Sequence, residues 1–188
     1  WASTAEGITP LMAAERMVVL AQQLIPGPET AIESYHVYVD AQGKIAGEFT
    51  GRKIRTWPVH YGHSTALETT DTADVLALGR SLVHKLKLRG VAKFDFKRAP
   101  DGQLYLLEVN ARFNLWHHLG GRAGVNIPAL VYADLVGGGS ERPAPAVARA
   151  GLRWCKPWRD INAARAAGMS LVEWLSWFAG AEAKRVVA

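Results

Sequence analysis

Residues 93–112 read KFDFKRAPDGQLYLLEVNAR. Asp101-Gly102 is a turn signal, and the runs on either side are apolar and β-prone, so the stretch predicts a β-hairpin. With Asp101 and Gly102 as the two central residues of a tight turn, Phe94 faces Val109 and Phe96 faces Leu107, and one face is apolar. The other face then sets Asp95 against Glu108 and Lys93 against Asn110. Like charges directly opposite destabilise a sheet by up to about 1 kcal/mol when exposed, and by more when desolvated. Lys93 bridging the acids, protonation of one acid, or a divalent cation between them would each relieve the repulsion. Magnesium is commonly held by one or two carboxylates plus phosphate oxygens. Asn110 would add an oxygen ligand, and Arg112 could reach a phosphate. On the pattern alone, a salt-bridged surface hairpin and a metal site stand level.

Working outward, Ile32–Val39 alternates, with Tyr35, Val37 and Val39 on one face. Asp40–Gly43 is a turn and Lys44–Thr50 a second strand. Residues 51–70, GRKIRTWPVHYGHSTALETT, read as a polar loop with three cations near its start. Asp71 or Thr72 caps a helix with Val75, Leu78, Leu82, Val83 and Leu86 in one stripe, stopped by Gly90. Asn126-Ile127-Pro128 opens another helix, running to Gly137. Ala13–Met17 has a helical pattern, and Val18–Leu20 leads as a strand into QQLIPGPE. Residues 138–150 are Gly/Pro/Ala-rich and read as a linker. Leu152–Lys156 is a candidate strand. Ser170 and Glu173 make a capping box for a helix to Phe178, whose tryptophans read as packing. Arg149, Arg153, Lys156, Arg159 and Arg165 read as a solvated face.

The 188 residues suffice for a real core, and 49% apolar with 21% charged residues is ordinary for a globular protein. No apolar run approaches the roughly 20 residues that span a bilayer. No signal peptide is visible, so the cytoplasm is the expected compartment and no membrane partner is expected. The single cysteine, Cys155, excludes an internal disulfide and is expected to sit inert in a strand. A net charge of +5 suits an anionic partner but is explained as well by surface lysine. The basic residues are scattered and no aromatic–basic motif is present, which disfavours nucleic acid. The chain begins at Trp1, as a fragment or processed product would.

The string LLEVNARF, preceded by a strand carrying Lys93-Phe94-Asp95, resembles the metal-binding end of the ATP-grasp superfamily, in the form found in biotin carboxylase and carbamoyl phosphate synthetase. QQLIPGPE resembles that superfamily's adenine-holding hinge strand. EFTGRKIRTWP followed by Tyr61-Gly62 is similar to a branch of carboxylate–amine ligases. The resemblance implies an α+β ATP-grasp fold, an antiparallel sheet flanked by helices, present in part. Residues 1–140 would be the C-terminal part of that domain, and 141–188 a linker and extension packing on it.

By the same resemblance, Gln22 would meet the adenine amino group, Gln23 and Ile25 would offer backbone groups to the ring, and Glu29 would bind the ribose. Lys53 would contact the terminal phosphate or the activated substrate, with Arg52 and Arg55 as weaker candidates. Asp95, Glu108 and Asn110 would be magnesium ligands, manganese being an alternative ion, and Arg112 a phosphate contact. Lys93 stands where the ligase branch often has arginine that stabilises an oxyanion. The implied activity is ATP- and magnesium-dependent ligation: a carboxylate is activated as an acyl phosphate for attack by an amine or similar nucleophile. Small-molecule acid and amine partners follow, and a homodimer is compatible. Family members carry an upstream half with two phosphate-gripping lysines, which this sequence lacks, so these residues alone are expected to bind ATP weakly and not turn over. The competing reading is a non-catalytic nucleotide- or nucleic-acid-binding module. His117-His118 is expected to be structural, or to line a carboxyl-substrate pocket, and His36 and His84 to be exposed. His60-x-x-His63 has metal-ligand spacing but no clear third ligand.

Overall fold

β1, Ile32–Val39, pairs on one side with β2, Ile45–Trp57, and on the other with β4, Gly90–Arg98. Flanked on both sides, it is a central strand, and nearly every residue in it is buried. The structure, a computed structural model, describes residues 22–59, 62–136, 147–180 and 183–184. The remaining strands are β3 (His63–Thr70), β5 (Leu104–Asn110), β6 (Arg153–Cys155) and β7 (Ala183–Lys184). Their order in one sheet is β5-β4-β1-β2-β3-β6-β7. All pairings are antiparallel except β6 with β7. This is the α+β antiparallel sheet with flanking helices that the resemblance implies.

Two cores form because β1 sends side chains both ways. Tyr35, Val37 and Val39 pack with Phe94, Phe96 and Ala92 against Val75 and Val83 of α1, Ala73–Lys85. On the opposite face Tyr38, Phe49 and Leu67 pack with Trp116 and Leu119 of α2, Trp116–Arg122, and with Ile127 of α3, Ile127–Val136. The Asn126 side chain accepts from the Ala129 amide, as an N-cap should. α4, Pro157–Ala166, and α5, Leu171–Ala179, follow β6. Ser170 and Glu173 close the capping box of α5, with Trp174 buried and its ring stacked on Phe178. Cys155 is buried in β6. Among the described residues no helix is long and apolar enough to cross a membrane.

Several local expectations are corrected. Residues 51–70 are not a polar loop: β2 runs to Trp57 and β3 starts at His63. Their charges mislead because they are paired within the sheet, Arg52 lying across from Glu68 and binding it. α1 ends before Gly90. Lys87, at φ 49°, makes a left-handed cap in which the Leu88 amide bonds Val83 and the Lys87 amide bonds His84. The β4–β5 turn has three residues, not two: Ala99 and Gln103 pair across Pro100-Asp101-Gly102, with Gly102 at φ +86°. Phe96 therefore faces Leu106 rather than Leu107, and a bulge between Asp95 and Phe96 restores the Asp95–Glu108 pairing. Gln22–Pro28, the described part of the expected hinge strand, is irregular; Val18–Leu20 and the Ala13–Met17 helix lie outside the described residues, as does His60.

Candidate functional site

Asp95 is the centre of the site. Its neighbours in register are Ser34 of β1, then Gly51 of β2. Both are small, so the sheet has a shallow floor there. Gly51 is required: a Cβ would come within 2.6 Å of the Trp116 ring and 2.8 Å of the Glu68 carbonyl oxygen. Asp95 is 3% exposed; the Ser34 hydroxyl donates to its Oδ1, and Lys93 Nζ lies 2.6 Å from its Oδ2. Lys93 also sits 5.7 Å from the Trp116 ring centroid.

Across the edge, β5 brings Glu108 opposite Asp95 and Asn110 opposite Lys93. Asn110 Nδ2 donates to Glu108 Oε1 at 2.8 Å, and Arg112 Nη2 donates to Asn110 Oδ1 at 3.3 Å. Leu107, the residue left over by the bulge, turns its carbonyl to accept from Gln22 Nε2 at 3.0 Å. The bulge thus serves two ends, keeping the carboxylates paired and fastening the Gln22 segment to the same edge. Gln23 is exposed and Ile25 buried in that segment, and Glu29 opens the 3-10 turn that leads into β1.

Lys53 of β2 feels all of these groups. Burial lowers the pKa of its ammonium, Asp95 raises it, Lys93 lowers it, and Glu29 and Glu108 raise it. Lys53 is therefore within electrostatic reach of a second cation and three carboxylates. Magnesium fits the donor chemistry: Asp95, Glu108 and the Asn110 amide offer hard oxygens on adjacent strands. Among the described residues no three His, Cys, Asp or Glu side chains group as a metal site. A cation here would complete its shell with water and phosphate oxygens, as magnesium does, and would compete with Lys93 for Asp95.

Some features went unread in the sequence. His36 is fully buried rather than exposed, because it lies on the second face of a central strand. It stacks on Phe49 with centroids 4.4 Å apart, and neither of its ring nitrogens has a hydrogen-bond partner. Burial, then Lys93 and His117, hold its pKa well below the ordinary histidine value. His117 is also buried, and desolvation takes it down to about 4. It lines a cleft of about 510 Å³ with Asn114, His118, Arg122 and Asn126. Arg55, a weaker candidate for phosphate contact, is committed elsewhere. It makes a two-point bond to Asp160 of α4, at 2.8 and 2.6 Å, beneath Trp177. A buried arginine partner in α4 had no local signal, since Asp160 lies 105 residues away in sequence.

No curated protein matches the chain. Among the solved structures similar to it are two with a TM-score above 0.5. One is a biotin carboxylase–βγ-ATP complex from Campylobacter jejuni, with TM-score 0.53 and 16% identity, over 70% of this chain and 30% of that one. The other is an N5-carboxyaminoimidazole synthetase from Staphylococcus aureus complexed with ADP, with TM-score 0.51 and 14% identity, over 70% of this chain and 35% of that one. The chain thus spans about a third of the length of these proteins. The family described as ATP-grasp in the biosynthetic pathway with Ter operon matches residues 15–157. With the fold, the carboxylate edge and that match together, the chain belongs to this ATP-grasp family.

Proposed function

We propose that this chain supplies the metal- and phosphate-facing part of an ATP- and magnesium-dependent ligase, which activates a carboxylate as an acyl phosphate for attack by an amine or similar nucleophile. One observation carries the reading: Asp95 and Lys93 of β4, Glu108 of β5 and, beyond β1, Lys53 of β2 share one face of the sheet beside Asn110 and Arg112. Like charges directly opposite on adjacent strands, one of them buried, are costly unless a cation is shared between them.

In the reaction a carboxylate oxygen of the substrate attacks the γ-phosphorus of ATP, and the bond to the ADP oxygen breaks. The amine then attacks the acyl carbon, phosphate leaves, and the nitrogen loses a proton. Asp95, Glu108 and Asn110 would hold magnesium, or manganese in its place, which when bound screens the phosphate charge. Lys53 and Arg112 neutralise charge on the transferring group. Lys93 steadies the oxyanion beside Asp95. Gln22, with backbone groups of Gln23 and Ile25, holds adenine, and Glu29 the ribose. No protein nucleophile takes part; positioning and electrostatics do the chemistry. Residues 1–140 serve as the C-terminal part of the ATP-grasp domain, with 141–188 as an extension packed on it.

Calorimetry of the full-length protein with a non-hydrolysable ATP analogue tests the proposal. Binding should require magnesium and weaken about tenfold or more in Glu108→Gln. Nucleotide binding indifferent to both magnesium and Glu108 would remove its basis.

A further inference from the structure

Next to Lys53 lies a cavity of about 230 Å³ to which neither Asp95 nor Glu108 contributes. Arg52, Lys53, Glu68, Arg153 and Trp177 line it. Arg52, Glu68 and Arg153 form a row across three strands, Glu68 pairing in register with Arg52 on β2 and with Arg153 on β6. Glu68 is buried and holds both guanidiniums side-on. Arg52 Nε and Nη2 donate to its Oε2 at 3.0 and 2.8 Å, and Arg153 Nε to its Oε1 at 3.2 Å. Burial works against the Glu68 charge, but the hydrogen bonds from both arginines outweigh it and keep its pKa below the ordinary value.

Two guanidiniums therefore share one carboxylate, and Lys53 lines the same recess, leaving an excess of positive charge there. The Nη edge of Arg153 and Nη1 of Arg52 have no partner among the described residues. Glu68 holds the Nε side, so the arginines are already ordered and a ligand need not freeze them. A guanidinium edge with two parallel N–H groups matches the two oxygens of a carboxylate. Trp177 walls the recess with an aromatic surface, and its ring is held by Arg55, whose Cζ lies 4.0 Å from the ring centroid. Trp177 lies beyond residues 15–157, so this wall of the recess falls outside the matched family span.

We propose that the Arg52–Glu68–Arg153 row is a carboxylate-binding subsite. It takes a carboxylate of the acid substrate other than the one that is phosphorylated, so the substrate is a di-acid. Lys53 lines this recess and is within electrostatic reach of Asp95 and Glu108, which links the subsite to the phosphate-facing corner. The proposal rests on the ligase reading above, yet its test is separate. Glutarate and inorganic phosphate serve as probes in calorimetry on the full-length protein, comparing wild type with Arg153→Gln. Arg153 is partly exposed and Glu68 keeps Arg52, so this variant should fold. Glutarate should bind the wild type and lose about tenfold or more in Arg153→Gln, while magnesium–nucleotide affinity stays unchanged. Equal glutarate affinity in the two proteins, no glutarate binding at millimolar concentration, or tighter binding of phosphate than of glutarate would each overturn the subsite. A wild-type protein that binds glutarate through Arg153 but no magnesium–nucleotide would instead retire the ligase reading and leave the carboxylate site standing.

Discussion

Two aspartates, Asp95 on the sheet and Asp160 on α4 against it, are almost equally buried, and they live in opposite circumstances. A carboxylate offers about four lone-pair positions. Asp160 fills them: Arg55 donates twice, the Thr65 hydroxyl once, and the Trp174 indole once. Asp95 has Ser34 and Lys93, with a second carboxylate, Glu108, placed opposite. The saturated aspartate fastens α4 and α5 to β2 and β3. The unsaturated one retains capacity for a ligand, with Lys93 offsetting part of its repulsion with Glu108. What separates these two acids is the remaining coordination, not the burial.

The largest expected effect falls on the saturated cluster. Asp160→Ala leaves the Arg55 guanidinium buried without a partner, and should cost about 3–5 kcal/mol in denaturant unfolding. Replacing Arg55 and Asp160 together by leucine should recover most of that loss, since a buried pair is often neutral against an apolar one. If Asp160→Ala were as mild as a surface change, the contrast would fail.

Next comes the floor of the open cluster. Gly51→Ala forces the Trp116 ring or the β3 backbone to move, an overpacking of about 1–3 kcal/mol by thermal melting. The histidines beside it give a pH signature. His36 and His117 are held neutral in the fold, with pKa values below the unfolded value of about 6.5. The unfolded chain takes up protons first as pH falls, so stability is full above about 6.5 and declines toward about 4, the value for His117. His117→Phe should flatten that decline in urea titrations run at several pH values.

Smaller still is the effect of Glu108→Gln on the fold. Glu108 is exposed and faces a like charge, so stability should change by no more than about 0.5 kcal/mol even as magnesium–nucleotide binding falls. Stability and binding that fall together would make Glu108 structural, like Asp160. The exposed Arg80–Glu48 pair sets the scale for surface charge, and Arg80→Ala should cost under about 1 kcal/mol.

The open cluster was far more legible in the sequence than the closed one. Asp95 and Glu108 lie on one hairpin, so a turn signal and period-two alternation bring them together without tertiary knowledge. Gly102 marked the turn, though its left-handed conformation belongs to a three-residue loop, and the shift of register was absorbed by a bulge that alternation cannot reveal. Lys53 was identified by motif, but its strand was mistaken for a loop, because residues 51–70 carry charges whose partners sit on other strands. His36 was misjudged for a related reason: β1 is covered on both faces, and polarity hides the second buried face. Asp160 and Trp177 were out of reach, since their partner Arg55 is more than a hundred residues away.

The central claim is that carboxylates from adjacent strands cradle a divalent ion on a nucleotide's phosphates. Anomalous diffraction from crystals of the full-length protein grown with manganese and a non-hydrolysable ATP analogue tests it most directly. The account predicts a manganese peak in contact with both Asp95 and Glu108, adjoining the phosphate chain. Bound nucleotide with its manganese remote from both residues would contradict it.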